Sequence, residues 1–333
     1  MSVALRGAPG GVRTTALGLR ALQAGPVLIL VVLCVAMATL SPYFLTSRNL
    51  SNLGFQASFV AVLALGQLLV IITRGIDLSV GSTVGLAGVV AATQAPSGGA
   101  ACLALFVATG AAVGLANGGV LVWGRVMNPF IVTLGTLGIA RGLALVIADG
   151  ETRTGLPAVV STLGSGSVAG VPVPVLLVAG LALVLGTLLG RTQWGRWIYA
   201  VGGNPEGARR AGIPADGVIL SVYVLCGLLA GIAAILVAGR TDSASPQAGQ
   251  LLELDSITAV IIGGASFVGG RGRVVNVLAG ALIIGVIRNG LDLLGVSPFW
   301  QLIAVGTLVI VSLELDVLRG RLERRLRTRA ASA

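Results

Sequence analysis

The sequence predicts an all-α, polytopic integral membrane protein with about ten transmembrane helices, and three observations carry that prediction. Hydrophobic residues make up 55% of the chain and charged ones only 10%, with a mean hydropathy of +0.98. A soluble domain carries about a quarter charged residues. The apolar residues fall into ten runs, near 26–40, 54–73, 80–95, 100–123, 129–148, 171–189, 218–238, 256–269, 274–294 and 299–317. Most approach the roughly 20 residues that a bilayer-spanning helix needs; the third and eighth are short. Finally, the arginines divide by side. With the N-terminus inside, the inner loops hold eight (Arg74, Arg125, Arg191, Arg196, Arg209, Arg210, Arg271 and Arg273); with three in the N-terminal tail and six in the C-terminal tail that makes 17, against Arg48, Arg153 and Arg240 outside. This asymmetry supports ten spans with both termini cytoplasmic.

Composition also excludes functions. All basic residues are Arg, with no Lys and no His. Without Lys there is no phosphate-binding loop, and without His the commonest general base and metal ligand are missing. Cys34, Cys102 and Cys226 lie singly in apolar runs, a pattern for packing and against a disulfide framework or metal site. The net charge of +10 reads as a basic inner face toward anionic lipid and a partner, with no need of nucleic acid. The 50 glycines, beside 4% aromatics, predict helices in close contact through small residues.

In chain order, residues 1–23 carry Arg6, Arg13 and Arg20 without an acid, a disordered cytoplasmic tail. The run at 26–40, with Ala36-Met37-Ala38, also fits a cleaved signal peptide, but the many spans after it favour a retained first helix. The transmembrane domain then occupies 24–317 and a second basic cytoplasmic tail 318–333. Five spans in each half would make the halves inverted relative to one another.

Polar interruptions mark the candidate sites. In RGIDLSVGS (74–82), Gly75 breaks a helix and Asp77 or Ser79 can cap the next, giving a tight inner-face turn that ends at Gly81. In NPFIVTLGT (128–136), Asn128 caps and Pro129 starts a helix. Thr133 and Thr136 share a face there and either line a polar path or bond their own backbone. Arg141 is within snorkelling reach of the outer interface. Arg288 and Asp292, four apart in RNGLDLLGVSPFWQ (288–301), are spaced to pair on one helix face. Asn117 and Asn289 stand as intramembrane polar residues.

The longest polar break is RTQWGRWIYAVGGNPEGARRAGIP (191–214). Asn204, Pro205 and Glu206 read as cap, first helical residue and first-turn acid, and Gly212 as the stop. A helix of barely two turns needs a surface to hold it. Together these motifs resemble the membrane-spanning permease subunits of bacterial ABC importers for monosaccharides, the ribose-type family. The resemblance covers roughly 49–316. It implies an ABC importer permease fold in the bacterial inner membrane and alternating access for a monosaccharide or related polyol. It also implies a cytoplasmic ATPase subunit that binds the ATP, a periplasmic sugar-binding protein and a second permease subunit, identical or paralogous. The permease itself would be no enzyme and carry no cofactor. By resemblance, Gly195, Arg196, Asn204, Pro205, Glu206, Ala208, Arg209 and Gly212 form the ATPase-coupling loop. Gly75, Asp77, Ser79 and Gly81 are an inner-face turn or gate. Asn117, Asn128, Thr133, Thr136, Arg288, Asn289 and Asp292 are pathway candidates for sugar hydroxyls. Permeases for branched-chain amino acids or nucleosides are the nearest rivals, with GIDLSVGS favouring sugar. A self-sufficient secondary transporter would need midplane carboxylates, whereas the acids read as lying in loops and helix ends.

Overall fold

The computed structural model describes residues 10–126, 128–311 and 314. Its helices are α1 (Gly10–Leu40), α2 (Ser47–Ile72), α3 (Val80–Ala92), α4 (Gly99–Val122), α5 (Pro129–Ala148), α6 (Ala158–Ser165), α7 (Val173–Arg191), α8 (Gln193–Gly203), α9 (Pro205–Arg210), α10 (Ala215–Thr241), α11 (Leu252–Ile262), α12 (Val274–Leu293) and α13 (Pro298–Val311). Each apolar run of the sequence lies on one of them. Among the described residues, α2, α4, α5, α7, α10 and α12 are long and apolar enough to cross a membrane. The chain is thus a helical, multi-pass membrane protein. Four of the ten expected spans are shorter: the apolar part of α1 (Gly25–Leu40), α3, α11 and α13. The disordered tail expected at 1–23 is helical from Gly10, where strong helix formers such as Ala16, Leu17, Leu19 and Leu22 recur. Residues 1–9, the tail at 318–333 and the end of the last apolar run lie outside the described residues.

α3 and α11 are short for a shared reason. At 1.5 Å per residue they reach only about 20 and 16 Å, because the connection before each dips into the bundle. Gln67, five residues before the end of α2, donates to the Asp77 carbonyl (3.3 Å), so the turn at 73–79 lies beside the body of α2. From the other end, the connection at 242–251 descends to Arg141, roughly 18 Å along α5 from its start, which donates to the carbonyls of Pro246 and Ala248. Backbone without helical bonds is tolerated at such depth only where protein satisfies it. Here the side chains of Gln67 and Arg141 do so.

The packing carries the inverted relation. α4 packs on α10 and α12 on α2; α3 packs on α10 and α11 on α2; α3 also packs on α4, as α11 does on α12. Exchanging α2 with α10, α3 with α11 and α4 with α12 maps each pair onto another. The most extensive contact, α4 on α10, is made by small residues: a Cβ at Gly110 would strike the Gly227 carbonyl, and one at Gly227 the Gly110 carbonyl. Gly114 and Gly231 meet backbone in the same way, one turn along each helix. Such contact gives association without a hydrophobic drive.

Helix ends sort onto two faces. On one, the Gly270 amide donates to the Ile72 carbonyl (2.8 Å) and the Tyr199 hydroxyl to the Gly272 carbonyl (2.9 Å). On the other, strand β1 (Arg153–Thr154) pairs antiparallel with β2 (Ser243–Ala244), and Arg240 donates to Asn52 (3.1 Å). α8 and α9 lie on the first face.

Candidate functional site

The 191–214 loop contains two helices where the sequence suggested one. α8 is amphipathic: Ile198 and Val201 are buried, and the Trp194 indole donates to Ser221 (2.9 Å), which lays the helix along the bundle ends. Gly195 and Gly202 sit against the carbonyls of Leu189 and Ile72, closer than any side chain permits. Asn204 then turns the chain; its side chain accepts from the Gly207 amide (3.0 Å) and Pro205 opens α9. α9 ends at Arg210, and Gly212 takes a positive φ of 78° as the Ile213 amide returns to the Ala208 carbonyl (3.0 Å). Only Ala208 of α9 is buried. Glu206 and Arg210 form an exposed pair at 3.5 Å, and Arg209 pairs with Asp216. Arg196 is exposed on α8. α9 therefore rests on one small residue and turns its charges outward.

Arg74 ties this loop to the 73–79 turn. Its Nε and Nη2 donate at 2.6 Å to the carbonyls of Gly202 and Gly203, the last residues before the α9 cap. From Arg74 the chain passes Gly75, where a Cβ would collide with the Tyr223 hydroxyl, to Asp77. Asp77 accepts from the Ser79 amide (2.9 Å) and hydroxyl (2.6 Å) and, more weakly, from the Asn117 amide (3.4 Å), while Asn117 also donates to Ser79 (2.9 Å). The three side chains are buried and hold the start of α3 to α4. Thr133 donates to the Ile76 carbonyl (3.1 Å), adding α5 to the same turn. Thr136 bonds only its own helix, at Val132 (3.1 Å), and Asn128 caps α5 at the Phe130 amide (3.1 Å).

A second polar cluster lies toward the opposite end of the bundle. The expected Arg288–Asp292 pair is not formed. Arg288 instead meets Asp255 of α11 (2.7 Å), and Asp292 accepts from Gln301 (2.7 Å). The reason is burial: the Asp255 side chain has 0% exposure and needs the cation, whereas Asp292 has an amide donor close by. Asp255, Arg288, Asp292, Gln301 and Gln56 line a cavity of about 230 Å³. Beside it, Glu253 lies against Gly81, where its carboxylate and the Gly249 carbonyl leave no room for a Cβ, and attracts Arg141. Arg141 is thus bound inside the protein and does not snorkel. Asn117 and Asn289, grouped by sequence, belong to different places: Asn289 and Asn49 exchange hydrogen bonds of 2.9 and 2.8 Å, joining α12 to α2.

Sequence reasoning missed Glu253, Asp255, Gln67 and Tyr223. The first two had a signal: LELD directly precedes an apolar run, the place for acids in a helix's first turn. Starting the span at Ser256 put both in a loop; they lie instead in the first turn of α11, still at a helix end, and Asp255 is fully buried there.

The family model described as "Branched-chain amino acid transport system / permease component" matches residues 49–313. The chain belongs to this permease family. The permease is 42% identical to the ribose import permease protein RbsC of Escherichia coli (strain K12), over 86% of this chain and 91% of that one. It is 39% identical to the D-allose transport system permease protein AlsC of the same organism, over 88% and 90%. The galactose/methyl galactoside import permease protein MglC, also from that strain, is 36% identical over 89% and 94%. No solved structure matches. The relatives are import or transport system permease proteins by name, and this permease is a transport subunit and not an enzyme.

Proposed function

We propose that this chain is the membrane-spanning subunit of an ABC importer in the bacterial inner membrane, carrying a monosaccharide or related polyol. A cytoplasmic ATPase subunit binds the ATP and docks on α8 and α9, a periplasmic binding protein delivers the sugar, and a second permease chain completes the pathway. Both termini face the cytoplasm and ten segments cross the bilayer, α3 and α11 together with the connections that dip beside them. The names of the relatives support the sugar class; the broader description of the family model is the reason to test amino acids alongside.

The observation that carries the coupling reading is Arg74. Its two 2.6 Å hydrogen bonds reach the carbonyls immediately before α9, and the same turn bonds α3, α4 and α5 through Asp77, Ser79, Asn117 and Thr133. A displacement of α9 therefore reaches three helices through side chains with defined partners, the kind of contiguous network that transmits a two-state motion. Closure of the ATPases on ATP moves the loop, and the inner turn follows. The pathway residues are those of the 230 Å³ cavity, Arg288 and Asp292 among them, where carboxylate, guanidinium and amide groups match sugar hydroxyls.

The test is uptake by proteoliposomes holding the permease and its ATPase, with binding protein outside and ATP inside. Ribose, allose, galactose and leucine are supplied in turn. ATP-dependent uptake of one sugar is expected. Uptake of leucine and of no sugar overturns the substrate class, and uptake undiminished without the ATPase overturns the mechanism.

A further inference from the structure

Behind α9, on the face that carries α8, is a cavity of about 590 Å³ between the 73–79 turn, the α4–α5 connection, α9 and the start of α10. Its polar lining is Thr73, whose hydroxyl is spent on the Leu69 and Val70 carbonyls, with Arg74, Arg125, Arg209, Asp216 and Tyr223; the remainder is apolar apart from Gly75 backbone. The charges do not balance. Asp216 is occupied by Arg209. Arg74 spends Nε and Nη2 on the Gly202 and Gly203 carbonyls, leaving Nη1 of a guanidinium with five donors. Arg125, exposed and held in the left-handed backbone region at φ 53°, has no hydrogen-bond or ion-pair partner among the described residues. Tyr223, 1% exposed, reaches the cavity beside Gly75, and its hydroxyl has no hydrogen-bond partner among the described residues. A buried hydroxyl left without an acceptor is costly.

Two uncompensated guanidiniums and a buried donor, supplied by three separate elements, lack one thing in common: an anion with several acceptor oxygens. A phosphate group offers them, and arginines are the residues that hold it best. We propose that this cavity binds a phosphate ester, with Arg125 and Nη1 of Arg74 on its anionic oxygens and the Tyr223 hydroxyl donating to a third. The ester is either the headgroup of an anionic phospholipid of the inner leaflet, as basic pockets between helix ends take, or a soluble phosphate monoester. Bound there, it joins the inner turn to the α4–α5 connection under α9. The binding stands independently of what the permease transports.

The full chain is placed in nanodiscs of phosphatidylcholine alone, and glycerol 3-phosphate is titrated while thermal unfolding is followed. In a second arm the bilayer contains increasing phosphatidylglycerol and no soluble phosphate. A saturable rise in unfolding temperature is expected in one arm, and which arm responds identifies the source. Arg125→Ala, at an exposed residue, and Tyr223→Phe, which removes only the hydroxyl, should each weaken the response, Arg125→Ala by about tenfold in apparent affinity. Arg191→Ala, an exposed cation at the end of α7, should leave it unchanged. No saturable response in either arm, or an equal loss with Arg191→Ala, overturns the site; the first result would leave the cavity to water and the second would reduce the effect to general charge.

Discussion

Removing either partner of the Arg288–Asp255 pair should harm the protein more than removing both. Asp255 has 0% side-chain exposure and Arg288 30%, the latter at the wall of the 230 Å³ cavity. Breaking a buried pair costs about 3–5 kcal/mol because an uncompensated charge remains, while replacing both by apolar groups is neutral or stabilising by about 1–4 kcal/mol. The asymmetry of exposure sets the order. Arg288→Met strands a carboxylate that is fully buried and belongs at the upper end. Asp255→Leu strands a guanidinium that keeps the cavity, Asp292 and Gln301 within its surroundings, and belongs at the lower end. Against a total stability of about 5–15 kcal/mol, either loss is visible as reduced membrane abundance and a lowered unfolding temperature in detergent. Asp255→Leu with Arg288→Met should recover most of both. A double variant as unstable as the worse single, or Asp255→Leu more damaging than Arg288→Met, would refute the reasoning. Uptake then separates roles: a stable double variant that no longer transports places the pair in the pathway.

Three further outcomes follow from the face that carries α8 and α9. Glu206→Arg changes a side chain that is 84% exposed, so abundance should be normal while the ATPase co-purifies weakly and uptake is lost; normal uptake with normal retention would leave Glu206 a solvated cap. Gly207→Ala gains about 1 kcal/mol of helix propensity, but its Cβ would come within 2.8 Å of the Asn204 amide nitrogen and disturb a cap worth about the same, so ATPase retention should barely change; a clear gain would show that the cap tolerates the methyl. Arg74→Ala should abolish uptake with the ATPase still bound, since it cuts the link behind α9 and not the docking face; loss of ATPase binding in pull-down would place Arg74 in the interface instead.

Much of this architecture was legible because membrane helices announce themselves by composition. The run at 129–148 coincides with α5, where Asn128 and Pro129 signal the start, and the cap at Asn204 was readable from NPE alone. What sequence could not supply was depth. Nothing in GIDLS or ASPQAGQ distinguishes a surface turn from one that enters the bundle, because the difference lies in partners remote in sequence: Gln67 and Asn117 for one, Arg141 for the other. The same blindness produced the Arg288–Asp292 expectation. Spacing by four is visible along one helix, whereas the need of a fully buried carboxylate on a neighbouring helix is not. α8 was missed for a different reason: its apolar residues alternate with Gln193, Gly195 and Arg196, so it reads as a polar loop until Ile198 and Val201 are seen against the bundle.

The inverted relation gives the two short helices comparable restraints made from different chemistry. Asp77 lies three residues before α3 and is held by Asn117 of α4; Asp255 lies three residues into α11 and is held by Arg288 of α12, the counterpart of α4. Neutral donors clamp the first and a guanidinium the second. Separating an ion pair in a low-dielectric interior leaves two uncompensated charges, whereas the donors on the Asp77 carboxylate are neutral groups that water or other polar groups can replace one at a time. Of the two turns, the one tied to α8 through Arg74 is therefore the cheaper to rearrange, and the one at the opposite end, fixed by Arg141 and the Asp255–Arg288 pair, is the more rigid. Under the ATPase docking proposed above, motion entering at α9 would meet the more easily rearranged turn first, and the ion-paired turn would supply the frame against which it works.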